Sequence, residues 1–339
     1  MGLNHKLIVL LMLTVTLSFP RSVQRYSSIG DLPLENGGVL FDCIVGYRTF
    51  GTLNQERSNG ILYCTWYMGK SEDLERGVGE GGYPDTTKYF VIAVDALCDG
   101  ISSSPSNSPR QPGDSFPVIS IHDMVESQYR MVRKEFGITQ LHGIIGGSMG
   151  GMQMFEWIVS YPEFMRKAVA TVGSPRMTIY NKQGLTILKT IIDYGRKYSI
   201  SDLDRSALYS MTFAMLLRTP EHINAKIPHE EFEQYLRTFR KDSIPSSRFL
   251  DLRYQLEAMI AHNIYRNDRN DIAATVRTIK AKVLLIVATK DLTVHPDPAL
   301  QFANAAHAEI IQLTNDCGHL APGCEQKRTN EAILSFFEK

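Results

Sequence analysis

The sequence predicts an α/β fold in which a mostly parallel sheet, flanked by helices, is interrupted by a helical insertion. Three observations predict it. Residues 61–66 (ILYCTW) and 89–94 (YFVIAV) are continuous rather than alternating apolar runs, which is how strands buried on both faces of a parallel sheet read. Residues 141–162 (LHGIIGGSMGGMQMFEWIVSYP) pass from a short apolar segment through a glycine-rich turn into helical spacing. Strands then vanish over 175–279, and the alternation of strand and helix resumes from 280.

The chain has 339 residues, 43% of them apolar, enough for one large core in one α/β domain. Lys plus Arg and Asp plus Glu each number 36, and no charge block stands out. Neither nucleic acid nor an anionic membrane surface is therefore expected as the main partner. No internal repeat or low-complexity tract is visible, so a solenoid has no support.

Residues 1–24 differ in kind: a short head with one lysine, an almost unbroken apolar run over 7–19, then a polar turn. The run suits a secretory signal peptide and is short for an ordinary membrane span. This predicts a secreted or periplasmic protein with no stable membrane insertion after cleavage. An uncleaved anchor or a buried first helix in a cytoplasmic protein are the alternatives.

The first part of the core is expected over 25–174. Residues 38–48 read as extended and 49–59 as a turn region, ahead of the two apolar strands. The loop over 69–87 is rich in glycine and charge and is expected at the surface. Residues 97–117 hold four prolines and six serines, too many for regular structure and long for a connection, either a functional loop or a surface excursion. Residues 122–136 have helical spacing, 142–145 and 168–172 read as strands, and Tyr161-Pro162 stops the helix between them. The insertion, 175–279, reads as a cap of amphipathic helices placed over the carboxyl edge of the strands. The core closes over 280–339 with strand, helix, strand, helix at 283–288, 297–306, 309–313 and 325–337.

Gly146-Gly147-Ser148-Met149-Gly150 satisfies G-x-S-x-G between a buried-type strand and a helix, the context that makes the motif a nucleophile turn. This points to the α/β-hydrolase fold. A serine hydroxyl needs a base, and the base needs an acid to hold its tautomer. In the order this fold uses, Asp291 follows one late strand and His319 the next. Asp297 and Asp316 compete as the acid, and His295 and His307 as the base. His307 falls in a helix and His295 in the acid's own loop, so Ser148, Asp291 and His319 form the preferred set. The oxyanion requires two N–H donors, expected from the backbone of Met149 and of Tyr67. The five cysteines show no C-x-x-C spacing, and the nine histidines are scattered, so no metal site is expected. Cys317 and Cys324 bracket His319, as a bridge or as free thiols.

At this point the chain resembles the homoserine O-acetyltransferase branch of the α/β-hydrolase superfamily. YRTFGTLN, DTTKYFVIAVDAL, SFPVISIHDMVESQ, GGSMGGMQMFEW, KDLTVHP and CGH carry the resemblance. It implies an acyl intermediate on Ser148, supported by His319 and Asp291, with acetyl-CoA as the acyl donor if transfer is retained. It also implies a substrate-carboxylate contact from the first helix of the insertion, where the nearest candidate is Lys189. The sequence departs from the branch as well. Leu320 follows His319 where the acetyltransferases carry an acidic residue, TWYMG at 65–69 replaces HALTG, and SSSPSNS from Ser102 is different. These departures, with the leader, favour water as the acceptor: an exported esterase needing no cofactor and acting on a small-molecule ester or acyl substrate, with a homodimer left open. The rivals are a homoserine acyltransferase and a non-catalytic binding protein on the same fold. A metal-enzyme reading lacks a His, Cys and carboxylate cluster at ligand spacing, and haloalkane-type or peroxidase-type chemistry fits less well with a serine at the nucleophile position.

Overall fold

A computed structural model describes residues 22–79 and 82–339. Strands β1 (Arg25–Pro33) and β2 (Val39–Phe50) form an antiparallel hairpin. They are followed by β3 (Gly60–Cys64), a short helix α1 (Ser71–Leu74) and β4 (Phe90–Val94). Helix α2 (Ile121–Phe136), β5 (Leu141–Gly147), α3 (Met149–Ser160) and β6 (Met165–Thr171) complete the first part of the core. Helices α4 (Ile179–Lys197), α5 (Asp202–Leu217), α6 (Pro220–Lys226), α7 (Phe232–Thr238), α8 (Ser246–Ala261) and α9 (Ile272–Val276) then separate β6 from β7 (Lys282–Ala288). Helix α10 (Asp297–Ala306), β8 (Glu309–Leu313), α11 (Ala321–Cys324) and α12 (Gln326–Glu338) end the chain.

The sheet order is β1-β2-β4-β3-β5-β6-β7-β8, parallel from β4 to β8 and antiparallel at the β1 and β2 edge. Every residue of β3 and β4 is buried, which explains their continuous apolar runs. Alternate side chains feed two cores. Leu62 and Ile92 join Trp157 and Phe302 on one face, whereas Ile61 and Val91 join Phe336 and Phe337 on the other. A third cluster, with Met149, Leu188, Tyr209 and Phe249, lies under the cap, where α4 packs on both α5 and α8. Helix α9 instead packs on α10 and joins the core of the sheet through Ile272 and Val276.

Strand β1 was not expected, because its sequence, RYSSIGDLP, shows no clear apolar alternation. Of the leader expected over 1–24, residues 1–21 lie outside the described residues. Ser22 N donates to Glu75 Oε1 at 2.9 Å, and Gln24 Nε2 to Asp95 Oδ2 at 2.8 Å. Among the described residues, no helix is long and apolar enough to cross a membrane.

The two loops also differ from expectation. The stretch over 69–87 is not wholly at the surface, because Ser71 and Leu74 of α1 are buried. The serine-rich stretch over 97–117 buries Ser102, Ser103, Ser104 and Ser108. Ser102 Oγ accepts from Gly46 N and donates to Asp95 O, and Ser103 Oγ accepts from Ile44 N. The serines thus take up main-chain groups of the antiparallel edge and substitute for a missing ladder.

Candidate active site

Ser148 sits at the sharp turn between β5 and α3, with φ 53° and ψ −120°. That backbone is costly for a residue with a side chain and persists only where its surroundings impose it. The neighbouring glycines show why. A Cβ on Gly146 would lie 2.1 Å from Gly150 O, and one on Gly150 would lie 2.5 Å from Cys64 O.

Asp291 follows the carboxyl end of β7 and His319 that of β8, and both are buried. His319 Nε2 lies 2.9 Å from Ser148 Oγ, and Nδ1 lies 2.6 Å from Asp291 Oδ2. The other carboxylate oxygen, Oδ1, accepts from Thr293 N at 2.8 Å and Val294 N at 2.9 Å. With the carboxylate so fixed, Nδ1 carries the proton and Nε2 accepts from the serine hydroxyl, the tautomer a general base requires. The structure thus brings the three residues together in one hydrogen-bonded chain. The competitors stand elsewhere: His295 faces Asp297 at 3.6 Å, His307 caps α10, and Asp316 pairs with His222 at 3.1 Å.

Met149 opens α3, so its N–H has no carbonyl one turn back to receive it. Tyr67 N–H has no acceptor among the described residues, whereas Met68 N–H donates to Gln255 Oε1 at 3.3 Å. The buried Tyr67 and Tyr209 hydroxyls are paired, and burial holds both phenols well above their usual range. Burial likewise pushes the Cys43 thiol to about 12 and raises Cys64 and Cys98, so none of the three offers a thiolate near neutrality.

Ser148 and His319 open into a cavity of about 760 Å³ walled by Trp66, Met68, Phe213, Leu217 and Leu320, with Arg218 among the lining groups. Lys189 does not line it. Its Nζ pairs with Asp193 at 3.2 Å and Glu257 at 3.4 Å. The cation at the cavity is Arg218, which directly follows α5 and which the sequence reading missed. Arg218 Nη1 lies 3.1 Å from His222 Nε2, and His222 Nδ1 lies 3.1 Å from Asp316 Oδ1. Since a guanidinium only donates, Nε2 accepts and Nδ1–H faces the carboxylate, a relay that orients the arginine.

Cys317 and Cys324 are bridged, closing a short loop around His319. Among the described residues, His222, Asp316 and Cys317 are grouped closely enough for a metal, but the cysteine sulfur is already bonded to Cys324.

The sequence profile of the alpha/beta hydrolase fold family matches residues 73–322. A probable esterase of Corynebacterium glutamicum is 41% identical over 155 residues, which cover 45% of this chain and 44% of that protein. The match therefore takes in less than half the length of that relative. A homoserine O-acetyltransferase of Methanosphaerula palustris is 28% identical over 363 aligned positions, covering 91% of this chain and 71% of that one. The crystal structure of an acetylester hydrolase from Corynebacterium glutamicum superposes with a TM-score of 0.84 at 26% identity, over 94% of this chain and 96% of that chain.

Proposed function

Because the chain belongs to the alpha/beta hydrolase fold family, we propose that it is a serine-nucleophile acyl-transfer enzyme, an ester hydrolase that forms its acyl-enzyme on Ser148 and releases the acyl group to water. The observation that carries this reading is the chain Ser148–His319–Asp291 opening into a largely apolar cavity. His319 Nε2 takes the hydroxyl proton as Oγ attacks the ester carbonyl, and Asp291 stabilises the imidazolium that results. The N–H groups of Met149 and Tyr67 receive the oxyanion. His319 then returns the proton to the departing alcohol, and the same steps run with water discharge the acyl group. Nucleophile, base and oxyanion donors all come from the chain, so hydrolysis calls on no cofactor. Leu320, beside the base, offers a substrate amine no counter-charge, which supports water as the acceptor.

Arg218 favours a second reading, transfer of an acetyl group from acetyl-CoA to an acceptor bearing a carboxylate, which a guanidinium matches. The two are separated by assaying p-nitrophenyl acetate and butyrate beside acetyl-CoA plus homoserine, with Ser148→Ala as control. Serine-dependent nitrophenol release without CoA release supports the hydrolase, and homoserine-dependent CoA release overturns it in favour of the transferase.

Export belongs to the same proposal. It is supported by the composition of residues 1–24 and by the Cys317–Cys324 bridge, since such bridges persist in oxidising compartments. Expression of the whole chain followed by fractionation and N-terminal sequencing tests it, and an uncleaved cytoplasmic product overturns it.

A further inference from the structure

The loop after β3, which carries the Tyr67 donor, is gripped by the cap. We propose that Gln255 and Arg248 of α8 are positioning residues for the oxyanion hole, so that the cap and not the sheet alone sets the geometry of its second donor. The inference rests on the reading of Ser148 as an acyl-enzyme nucleophile.

Gln255 is fully buried, and its amide makes one bond at each end. Oε1 accepts from Met68 N at 3.3 Å, and Nε2 donates to Leu97 O at 3.2 Å. Arg248 Nη2 donates to Met68 O at 3.2 Å. Both main-chain polar groups of Met68 are thus committed to one cap helix. Met68 needs such a grip, because its φ of 69° lies in the left-handed region, which is unfavourable for a residue other than glycine. Such a conformation survives only where its surroundings over-determine it. Met68 directly follows Tyr67, so the grip limits how the donor's peptide can turn. The Tyr67 side chain is tied to the cap as well, through the Tyr209 hydroxyl and an edge contact with Phe213 at 5.8 Å between ring centroids.

From the sheet side a second buried amide performs the matching task. Gln153 Nε2 donates to Thr65 O at 3.0 Å and to Met149 O at 3.3 Å, joining the segments that carry the two donors. The second donor is therefore held between Gln153 below and Gln255 above. An apolar replacement of Gln255 keeps the volume but leaves Met68 N–H free to turn and Leu97 C=O unpaired.

The test uses the full chain with Gln255→Leu and Arg248→Met, each corrected by active-site titration. Three quantities are read for p-nitrophenyl butyrate: kcat, KM and the inhibition constant of a trifluoromethyl ketone, whose adduct with the serine places an oxyanion in the hole. Loss of an entire oxyanion donor lowers kcat about 100-fold or more, so displacing one is expected to lower it about tenfold. KM is expected within about twofold of wild type, with ketone affinity falling in step with kcat, because the hole acts on the oxyanion and not on the ground-state ester. A merely structural role lowers the titrated fraction and leaves all three constants per site unchanged, which overturns the proposal. Should Gln255→Leu fail to fold, Arg248→Met decides by the same readouts. Ser148→Ala is run in parallel: a variant that keeps turning over defeats the underlying reading, whereas a dead Ser148→Ala beside unaltered Gln255→Leu and Arg248→Met defeats this inference alone.

Discussion

The carboxyl edge of the sheet and the helical cap meet at one cavity but are specified in different ways. At the sheet edge, Ser148, Asp291 and His319 each stand past the carboxyl end of a parallel strand, and short-range sequence dictates where those strands stop. The cap instead reaches the cavity through contacts remote in sequence: Gln255 holds Met68 from 187 residues away and Tyr209 holds Tyr67 from 142. The positions of Ser148, Asp291 and His319 are thus encoded locally and their surroundings non-locally. Substitutions at the sheet edge should accordingly abolish turnover for every ester, and those in the cap should change which ester is preferred or how well the oxyanion is held.

The largest effects break the sheet-edge half of this comparison. Ser148→Ala is expected to lower kcat by ~10⁵-fold with the fold intact by circular dichroism. Asp291→Asn, which keeps the shape but loses the acid that fixes the His319 tautomer, is expected to cost ~10⁴-fold. A serine variant with near-wild-type rates per active site would place the nucleophile elsewhere.

The next effect belongs to the hinge between the two regions. Ser174 to Met177 and His262 to Ile264 lie side by side where the insertion leaves and rejoins the core, with Ile264 N donating to Pro175 O at 2.9 Å and Met177 N to His262 O at 3.4 Å. His262 is buried, and its Nε2 lies 3.0 Å from Ser174 O. Burial lowers its pKa to about 4, against the pull of Glu156 and Glu35 and with the push of Arg266. The unfolded chain therefore binds the proton first: stability is complete above pH 6.5 and is lost as pH falls from 6.5 towards 4. The loss reaches about 2–3 kcal/mol by pH 4.5. Glu156, whose pKa is lowered in the same network through His122 and Arg266 although burial opposes it, contributes its stability in full above about 4.5 and loses it only as pH falls below that. His122, held upward by Glu156, contributes in full below 6.5 and loses stability as pH rises above it, a change that wild type and a His262 variant share, so the difference between them reports His262. Thermal melts of wild type and His262→Asn at pH 7.5 and 4.5 are expected to differ in their pH dependence by that amount, and parallel curves would remove His262 from the hinge.

Smaller again is the effect of the bridge. The His319 loop follows the exposed edge strand β8, so neighbouring strands constrain it on one side only. The Cys317–Cys324 bond spans seven residues and supplies constraint the edge lacks. Replacing both cysteines by alanine is expected to cost about 2 kcal/mol in denaturant unfolding. Reduced wild type should match the double variant, and unchanged stability in both would show that Asn315 and Glu325, hydrogen-bonded at 2.7 Å, already hold the loop.

How much of this was legible follows the same division. Strands β3, β4 and β7 are visible because each is an apolar run buried on both faces, whereas β8 is exposed along most of its length, and the Ser148 turn is visible because its crowding admits only small neighbours. Strand β1 is not visible, because a half-exposed edge strand ending in Asp, Leu and Pro carries little periodic signal. Lys189 was expected at the site from its position on the first insertion helix. Helical spacing cannot say which face of that helix meets the cavity, and the lysine is taken by Asp193 and Glu257 instead. Arg218 lies at the junction after α5, where only the packed cap brings it to Ser148's cavity.

Arg218 gives the comparison its sharpest form, because its removal should leave the chemistry untouched. Held by His222, the guanidinium offers donors to an anionic group at the apolar cavity, where a charge-assisted bond gains from the low dielectric. Arg218→Leu is expected to raise KM about tenfold for an ester carrying a free carboxylate, matching the ~1.5 kcal/mol of one such bond. For p-nitrophenyl butyrate, which carries no charge, kcat and KM should stay within about twofold. His222→Phe should reproduce a part of the effect by releasing the arginine from its relay. Equal losses on charged and neutral esters would instead make Arg218 part of the cavity's structure, and the cap would then hold the oxyanion loop without selecting among substrates.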